Sequence, residues 1–167
     1  MQNETYQNNF SKYRIRLAIN DDAAIIAHHR AQMFRDMGHI NDQEAPEVET
    51  ACRPYLAEML SSGEYIGWLV EFEEKVVAGG GIILRRLLPR PGCLQGGEEA
   101  YVLNVYTEPH HRRSKLARML LAAMIEWCEE RGVARITLHA SDVGRPLYES
   151  LGFVPTNEMR LRIASSE

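Results

Sequence analysis

The stretch VYTEPHHRRSKLARMLLAAMIEWCEERG, residues 105–132, joins the end of an apolar strand, a short basic loop and the most regular helix pattern in the chain. Apolar side chains recur in the helix at the spacing of a single face: Leu116, Leu120, Ala123, Met124 and Trp127. Ser114 can cap the first turn, and Gly132 can end the helix. This stretch therefore predicts a strand, a loop and a long amphipathic helix in direct succession.

Strand and helix patterns continue on both sides of residues 105–132. The strand patterns are RIRLAI (14–19), EYIGWLVEFEE (64–74), KVVAGGGIILRRLL (75–88), AYVLNVYT (100–107), VARITLHA (133–140) and NEMRLRIA (157–164). The other helix patterns cover residues 23–37, residues 46–62 with Pro54 as a kink or break, and residues 144–152. Gly79, Gly80 and Gly81 lie inside a strand pattern, which indicates a bulge or close packing. This order predicts an α/β fold with a mixed sheet and helices on its faces.

Length and composition limit the class of protein. The 167 residues, 45% apolar and 25% charged, fit a polar N-terminal tail (1–13) and one globular domain (14–167). The net charge of −4 disfavours a general nucleic-acid binder, and no apolar run approaches the ~20 residues of a membrane span. Three cysteines without a CxxC pair disfavour a disulfide framework and a structural zinc site. We expect a cytoplasmic protein without nucleic-acid or membrane partners, since the N-terminus has no signal-peptide core.

Basic residues are concentrated where the long helix begins. Arg112, Arg113, Lys115 and Arg118 lie within seven residues, whereas a uniform composition would place about 0.8 basic residues there. A helix N-terminus already presents unpaired amides and the positive end of the helix dipole, so these side chains add to a positive potential. A bound anion would offset that potential, and a loop after a central strand is where open α/β sheets bind ligands. The alternative is a solvated run of surface charge.

The two common phosphate-binding motifs are missing from this region. The chain contains no GxxxxGK[ST] P-loop and no GxGxxG between a strand and a helix. The remaining expectation is a phosphate-bearing ligand held by backbone amides without either motif.

Two segments, VYTEPHHRRSKLARMLL (105–121) and LYESLGF (147–153), carry a resemblance to a known family. The first resembles the strand, proline and R/Q-x-x-G-x-G/A helix start of the GNAT superfamily of acyl-CoA-dependent N-acetyltransferases. The second is similar to the LYxxxGF signature of that superfamily, and the resemblance extends over roughly residues 14–163. It implies a GNAT-like fold, in which a central mixed sheet of about six to seven strands is flanked by about four helices.

The resemblance also implies which residues would contact acetyl-CoA. These are Val105, Tyr106 and Thr107 beside the pantetheine arm; the amides of Arg113, Ser114, Lys115, Leu116 and Ala117 around the pyrophosphate; Arg112 and Arg118 on phosphate oxygens; and Ser141. The chain departs from the family pattern at two of these positions. Lys115 stands where the family has a glycine, which permits close backbone approach. Ser141 stands where the family often has an asparagine, and its shorter side chain would reach the coenzyme through water.

The chemistry that the resemblance implies needs an acid and a base. Tyr148 would be the general acid that protonates the departing CoA thiolate, with a buried core tyrosine as the alternative. A backbone N–H at the end of a split central strand can stabilise the oxyanion. Glu99, with Glu98 beside it ahead of the strand at 100–107, is the candidate base, directly or through water. A solvated loop carboxylate is the alternative for each, and ordered water can also deprotonate the amine.

The acceptor is expected to be a primary amine of a small molecule or a peptide. In this superfamily the first two helices and their loop usually shape the acceptor site, and here they carry Asp36, Asp42, Glu44, Glu47 and Glu49. This charge would suit a cationic amine, and ordinary helix-capping and surface acidity is the alternative. Met33, Phe34 and Met37 are spaced either to line that site or to fill the core.

The histidines predict no metal site, because none has HxxxH spacing. We expect His28 and His29 at a helix surface or edge, and His110 and His111 to add to the positive field of the phosphate site. His139, on an apolar strand, is expected to be buried or at the edge of a cleft.

Three functions fit these patterns. The leading hypothesis is an N-acetyltransferase that uses acetyl-CoA as co-substrate and no metal. The alternative is a non-catalytic acyl-CoA-binding sensor of the same fold, and the third is another enzyme of phosphate-bearing ligands, such as a nucleotide-dependent one. An exposed edge strand such as NEMRLRIA can also pair with a second copy to form a homodimer.

Overall fold

The computed structural model describes residues 12–163, which form five strands and four α-helices. The strands are β1 (Tyr13–Leu17), β2 (Tyr65–Phe72), β3 (Lys75–Leu87), β4 (Gly97–Thr107) and β5 (Arg135–Leu138). The helices are α1 (Ala23–Asp36), α2 (Ala45–Ser62), α3 (Leu116–Glu130) and α4 (Arg145–Ser150), and 3-10 turns precede α1 and follow β4. The predicted α/β class and the order of elements up to α4 are confirmed.

The strands form one mixed sheet in the order β1-β2-β3-β4-β5. Successive strands from β1 to β4 are antiparallel, whereas β4 and β5 are parallel. A parallel pair needs a long crossover connection, and α3 supplies it.

Helices cover both faces of the sheet, so apolar side chains form two cores. On one face α3 buries Leu120, Leu121 and Met124 against strand residues such as Val102. On the other face α1 and α2 pack against Tyr65 and Leu69 of β2, among others. The face of α3 that contains Leu116, Leu120 and Met124 is buried, as its apolar periodicity predicts.

The three glycines of β3 mark a bulge and a close approach, as predicted. The register between β3 and β4 shifts between Gly79 and Gly81, opposite a stretch of β4 in which Asn104 has a φ of 59°. A Cβ on Gly81 would lie 2.3 Å from the ring of Tyr65, so no larger residue fits there without movement.

The prediction of a last strand over residues 157–164 is wrong for the described residues. Residues 157–163 belong to no strand or helix, and residue 164 lies outside the described range. A strand is stabilised by backbone hydrogen bonds to a neighbour, and no strand in the described part of this chain pairs with the segment. Residues 12–163 accordingly form a sheet of five strands instead of about six to seven.

Three boundaries also differ from the predictions. Strand β4 begins at Gly97, so Glu98 and Glu99 lie within a strand instead of in the loop before it. Helix α2 continues through Pro54 without a break. Tyr13, assigned to the tail, is the first residue of β1, and residues 1–11 lie outside the described range. That residues 14–167 form one domain stays a prediction. No helix within residues 12–163 is long and apolar enough to cross a membrane.

Candidate active site

Strands β4 and β5 separate partway along β4 and leave one edge of that strand open. They pair in register from Glu99 with Arg135 to Val102 with Leu138, where β5 ends. Beyond this point β4 continues to Thr107 without a described strand on that side. An open strand edge presents backbone N–H and C=O groups that an extended ligand can bind as an added strand. Val105, Tyr106 and Thr107, the residues predicted to lie beside pantetheine, belong to this open stretch.

The loop after β4 leads directly into the start of α3. Lys115 is the N-cap residue with a φ of 59° in the left-handed region, and Arg113 has a φ of 64°. No side chain caps the first turn of α3, and that turn contains no acidic residue. Its amides are therefore available to an anion, and the positive end of the helix dipole adds to their attraction.

The four basic side chains of this region divide into two kinds. Arg112 forms an ion pair with Asp36 and donates from Nε to the carbonyl oxygen of Thr107 at 3.0 Å, and Arg118 donates to the hydroxyl of Ser150. Arg113 and Lys115 are exposed and form no ion pair or side-chain hydrogen bond with any residue in the range 12–163. The two arginines predicted to meet phosphate oxygens thus have protein partners, whereas Arg113 and Lys115 point their charge at solvent.

Tyr148 lies on α4 at the edge of a cavity of about 430 Å³ between β5, α4 and the C-terminal segment. Its ring is half-buried and packs edge-on against Phe153, with 5.9 Å between the centroids. Burial raises the pKa of the Tyr148 phenol, so the hydroxyl keeps its proton at neutral pH and is a donor. Ser141 lies just before α4, where its Oγ accepts a hydrogen bond from the amide of Gly144 at 3.1 Å.

Glu99 is buried on β4 and held by arginines. It forms an ion pair with Nε of Arg135, and Arg85 lies 3.7 Å from its other oxygen. The predicted base is therefore engaged by two cations, whereas its neighbour Glu98 forms no ion pair with a described residue.

Most of the acidic side chains around α1 and α2 are paired within the protein. Asp36 pairs with Arg112, Asp42 lies 3.5 Å from Arg35, Glu44 accepts a hydrogen bond from the amide of Asn41, and Glu49 lies 3.1 Å from His28. Of the five acidic residues expected to attract a cationic amine, Asp36 and Asp42 are thus paired with arginines, which offsets part of the negative charge.

His29 is buried, so the prediction of a surface position for it is wrong. The residue is 1% exposed on the inner face of α1, with its ring 5.1 Å from that of Tyr106. Its Nε2 lies 3.3 Å from Glu108 without hydrogen-bond geometry, and neither ring nitrogen has a hydrogen-bond partner among the described residues. Burial lowers the pKa of His29 to about 4, which keeps the ring neutral.

The sequence analysis did not identify a contact between Tyr101 and His139. Tyr101 Oη lies 2.6 Å from Nδ1 of His139, and Nε2 of His139 lies 3.3 Å from Glu158. His139 is 47% exposed and lines the same cavity as Tyr148, so it lies at a cleft edge. The parallel register of β4 and β5 is the signal that places these side chains together. The described residues contain no group of three or more His, Cys, Asp or Glu able to hold a metal ion.

Comparisons with known proteins agree with the fold. A family model described as the acetyltransferase (GNAT) family matches residues 14–153. A GCN5-related N-acetyltransferase from Ralstonia eutropha JMP134 has a similar crystal structure, with a TM-score of 0.83 and 31% identity over 92% of this chain and 99% of that chain. A predicted acetyltransferase from Clostridium acetobutylicum, crystallised with acetyl-CoA, gives a TM-score of 0.77 and 25% identity over 91% and 96% of the two chains.

One curated relative matches over a shorter stretch. The [ribosomal protein bS18]-alanine N-acetyltransferase of Escherichia coli K12 is 41% identical over 68 residues, which are 39% of this chain and 44% of that protein. The chain thus spans less than half the length of the curated relatives that it matches.

Proposed function

The chain belongs to the acetyltransferase (GNAT) family, and from this premise we propose that it transfers the acetyl group of acetyl-CoA to a primary amine. The observation that carries the proposal is the open edge of β4, which runs directly into the uncapped start of α3. An extended pantetheine arm fits the edge as an added strand, and a pyrophosphate fits the exposed amides beyond it. Arg113 and Lys115, both without protein partners among the described residues, would balance the phosphate charge.

The remaining residues supply the chemistry of transfer. When bound, acetyl-CoA provides a thioester whose carbonyl carbon the neutral amine attacks. A C–N bond forms and the C–S bond breaks, and Tyr148 gives its hydroxyl proton to the departing thiolate. A backbone N–H of β4 beyond Val102 would stabilise the negative charge on the carbonyl oxygen. Ser141, at the start of α4, would bond the coenzyme through water.

A primary amine on a peptide or protein is the acceptor that we propose, because the curated relative is named for acetylating an alanine of a ribosomal protein. An acceptor of that kind is met in the cytoplasm, where we propose that the enzyme acts without a nucleic-acid or membrane partner. A small-molecule amine is the alternative acceptor, and a peptide panel tested beside polyamines and aminoglycosides distinguishes the two.

Thiol release from acetyl-CoA across that amine panel tests the proposed transfer. We expect wild-type turnover with at least one amine and a loss of about 10²-fold or more in Tyr148→Phe, the range of a general acid. Tyr55→Phe is the control, because it removes a hydroxyl from a tyrosine that is 70% exposed on α2. Equal turnover in wild type and Tyr148→Phe would remove Tyr148 as the acid.

A non-catalytic acyl-CoA sensor is the second candidate function. The engagement of Glu99 by Arg135 and Arg85 favours it, because the base proposed from the sequence is not free to accept a proton. Tight coenzyme binding measured by calorimetry, together with no acetylation of any amine, would support the sensor. Calorimetry with ATP and NAD beside acetyl-CoA tests the third hypothesis, a nucleotide-dependent enzyme.

We also propose that residues 157–163 pair with the same segment of a second copy. Met159, Leu161 and Ile163 are 94%, 86% and 86% exposed and alternate with charged residues. Antiparallel pairing centred on Arg160 sets Met159 opposite Leu161 and Glu158 opposite Arg162 of the other copy, so apolar and charged residues match. Light scattering should give the mass of a dimer for the wild type and of a monomer for Leu161→Lys. A monomeric wild type would overturn this proposal.

A further inference from the structure

A chain of three side chains crosses from β4 to the C-terminal segment where β4 and β5 separate. Tyr101 Oη lies 2.6 Å from Nδ1 of His139, and Nε2 of His139 lies 3.3 Å from Oε1 of Glu158. Nε2 of His139 and the carboxylate of Glu158 are at ion-pair distance without hydrogen-bond geometry, and the negative charge there favours a hydrogen on Nε2. That tautomer leaves a lone pair on Nδ1 to accept the hydroxyl hydrogen of Tyr101. Tyr101 and His139 are therefore aligned for proton movement, and Glu158 lies near enough to stabilise a positive charge on His139.

The position of this chain matches the proposed place of reaction. Val102 of β4 and Leu138 of β5 form the last pair of the two strands. Tyr101 directly precedes Val102, and His139 directly follows Leu138. Because a strand advances about 3.3 Å per residue, both side chains start within a few ångströms of the point where the edge of β4 opens. The side chain of His139 is 47% exposed, so an acceptor amine and solvent both have access to the group.

Tyr101 and Tyr148 lie on different faces of the sheet. Tyr101 is opposite Ile83 of β3, and directly opposed residues in an antiparallel pair project to the same face. Ile83 packs against the core under α1 and α2, whereas Tyr148 packs against the core on the α3 side. An acid and a base on different sides suit amide formation, because the amine arrives at the carbonyl carbon from one side and the thiolate departs on another.

We propose that Tyr101, His139 and Glu158 form the proton relay that deprotonates the acceptor ammonium, an inference that rests on the acetyl transfer proposed above. Tyr101 is the catalytic residue, since its Oη takes an N–H proton of the ammonium while its own proton passes to Nδ1 of His139. The products are a neutral amine with a free lone pair, an intact tyrosine and an imidazolium beside the carboxylate of Glu158. Exposed His139 then returns its proton to solvent.

Two other residues have roles in this relay. Arg85 holds its guanidinium carbon 4.1 Å from the centroid of the Tyr101 ring, where a cation stabilises the electron-rich ring as the hydroxyl loses its proton. Glu158 is a positioning residue, because its negative charge near Nε2 of His139 favours a hydrogen on that nitrogen. Glu99 is the competing base, but Arg85 and Arg135 engage its carboxylate, so it is less free than His139 to accept a proton.

The experiment measures kcat and KM for Tyr101→Phe, His139→Gln, Glu158→Gln and Glu99→Gln, with Tyr55→Phe as the matched control. At neutral pH we expect Tyr101→Phe and His139→Gln each to lower kcat by about 10²-fold, with the KM for acetyl-CoA unchanged. The double variant should be no slower than either single one, because both remove the same relay. Glu158→Gln should lose less, Tyr55→Phe should stay near wild type, and any loss in Glu99→Gln should not depend on the pKa of the acceptor amine.

A second acceptor distinguishes a relay from a merely structural role. An amine of low pKa is already neutral at pH 7, so the two relay variants should acetylate it at nearly the wild-type rate. For an ordinary alkylamine their deficit should shrink as pH rises toward the amine's own pKa. The charged groups around His139 that shape this profile are Glu158, Arg85 above Tyr101, and Arg145, Glu149 and Arg160 in the same cavity.

Each outcome supports or overturns the relay. Wild-type kcat in Tyr101→Phe or His139→Gln overturns it, as does a deficit that is equal for both acceptors and at every pH. A loss confined to Glu99→Gln assigns the base to Glu99 instead. A wild-type protein that binds acetyl-CoA but acetylates neither acceptor overturns the proposed transfer and the relay with it.

Discussion

Arg112 in the loop after β4 forms an ion pair with Asp36 at the end of α1, so one arginine joins the predicted phosphate loop to the first helix. Its Nε also donates to the carbonyl oxygen of Thr107, which fixes the side chain against the end of β4. The arginine that the resemblance assigned to a phosphate thus already holds a carboxylate of the protein. The unpaired charge of this loop lies on Arg113 and Lys115, and these residues make the first prediction.

Arg113→Glu should weaken acetyl-CoA binding at least tenfold at low salt. The substitution places a negative charge beside the exposed amides at the start of α3, and dissolved ions screen this repulsion. The loss should therefore shrink as salt is added, and the variant's residual affinity should depend less on salt. Calorimetry at two salt concentrations measures both effects. Arg53→Glu, the same change of charge on α2, is the control, and equal affinities in the two variants would contradict a phosphate site at this loop.

Lys115→Gly should stabilise the fold by about 0.5–1 kcal/mol. Lys115 has a φ of 59°, a conformation that costs an L-residue free energy because its Cβ crowds the backbone. Glycine escapes this cost, and asparagine escapes part of it. Urea unfolding of wild type, Lys115→Asn and Lys115→Gly should give increasing stability in that order. A less stable glycine variant would show that the greater conformational freedom of glycine in the unfolded chain outweighs the relief of backbone strain.

Gly81→Ala should destabilise the fold by about 2 kcal/mol or more. The new Cβ would lie 2.3 Å from the Tyr65 ring, which is buried and cannot move without disturbing the core under α1 and α2. Gly97→Ala is the matched control, since its Cβ would meet its nearest neighbour at an ordinary 3.4 Å. Thermal unfolding measures both variants, and equal losses would place the effect in the strand backbone instead of the contact with Tyr65.

Acidification from pH 6.5 to pH 4 should destabilise the protein through His29. Burial holds the pKa of His29 at about 4, against an ordinary value of 6.5, so within this window the unfolded chain binds a proton that the folded one does not. Each unit of difference is worth about 1.4 kcal/mol, which gives a loss of about 3 kcal/mol by pH 4. No loss from this group is expected above pH 6.5.

The variant His29→Leu isolates that contribution. The leucine fills the buried position with an apolar side chain that does not titrate, so the stability of the variant should fall less between pH 6.5 and pH 4. The carboxyl groups of Asp22 and Glu71 have pKa values lowered from 4.5 for Glu71 and 3.8 for Asp22 because Arg16 binds them, so as pH falls past these ordinary values they destabilise both proteins equally. Urea unfolding at pH 7, 5.5 and 4.5 compares the two proteins. Parallel pH curves would mean that another group causes the acid sensitivity.

Periodicity in the sequence predicts elements such as helices, whose backbone hydrogen bonds are local and whose apolar face needs only a core to pack against. The apolar face of α3 repeats every three to four residues, and the core buries Leu120 and Met124 as that pattern requires. The alternation in residues 157–163 fails to predict a strand because a strand also needs a neighbour for its backbone. Helix α2 passes Pro54 because packing of residues such as Leu56 against the sheet outweighs the lost hydrogen bond.

The site is less visible in the sequence than the fold. The basic start of α3 stands out by composition alone, yet the pairing of Arg112 with Asp36 joins residues 76 positions apart. The contact of Tyr101 with His139 depends on the register of β4 against β5, and a slip of one residue would turn the two side chains to opposite faces. His29 was misassigned because His28 and His29 are adjacent and project about 100° apart on the helix, and the sequence alone does not show which of them faces the sheet.

Strand β5 is four residues long, and its early end leaves the second half of β4 open for the proposed ligand. Had the strand run on to match Thr107, its own peptide groups would have consumed every hydrogen bond that β4 now offers on that side. The proposed coenzyme site thus consists of backbone groups of β4 that have no partner strand among the described residues. Extending β5 along the five residues from Leu103 to Thr107 would close this edge to an added strand.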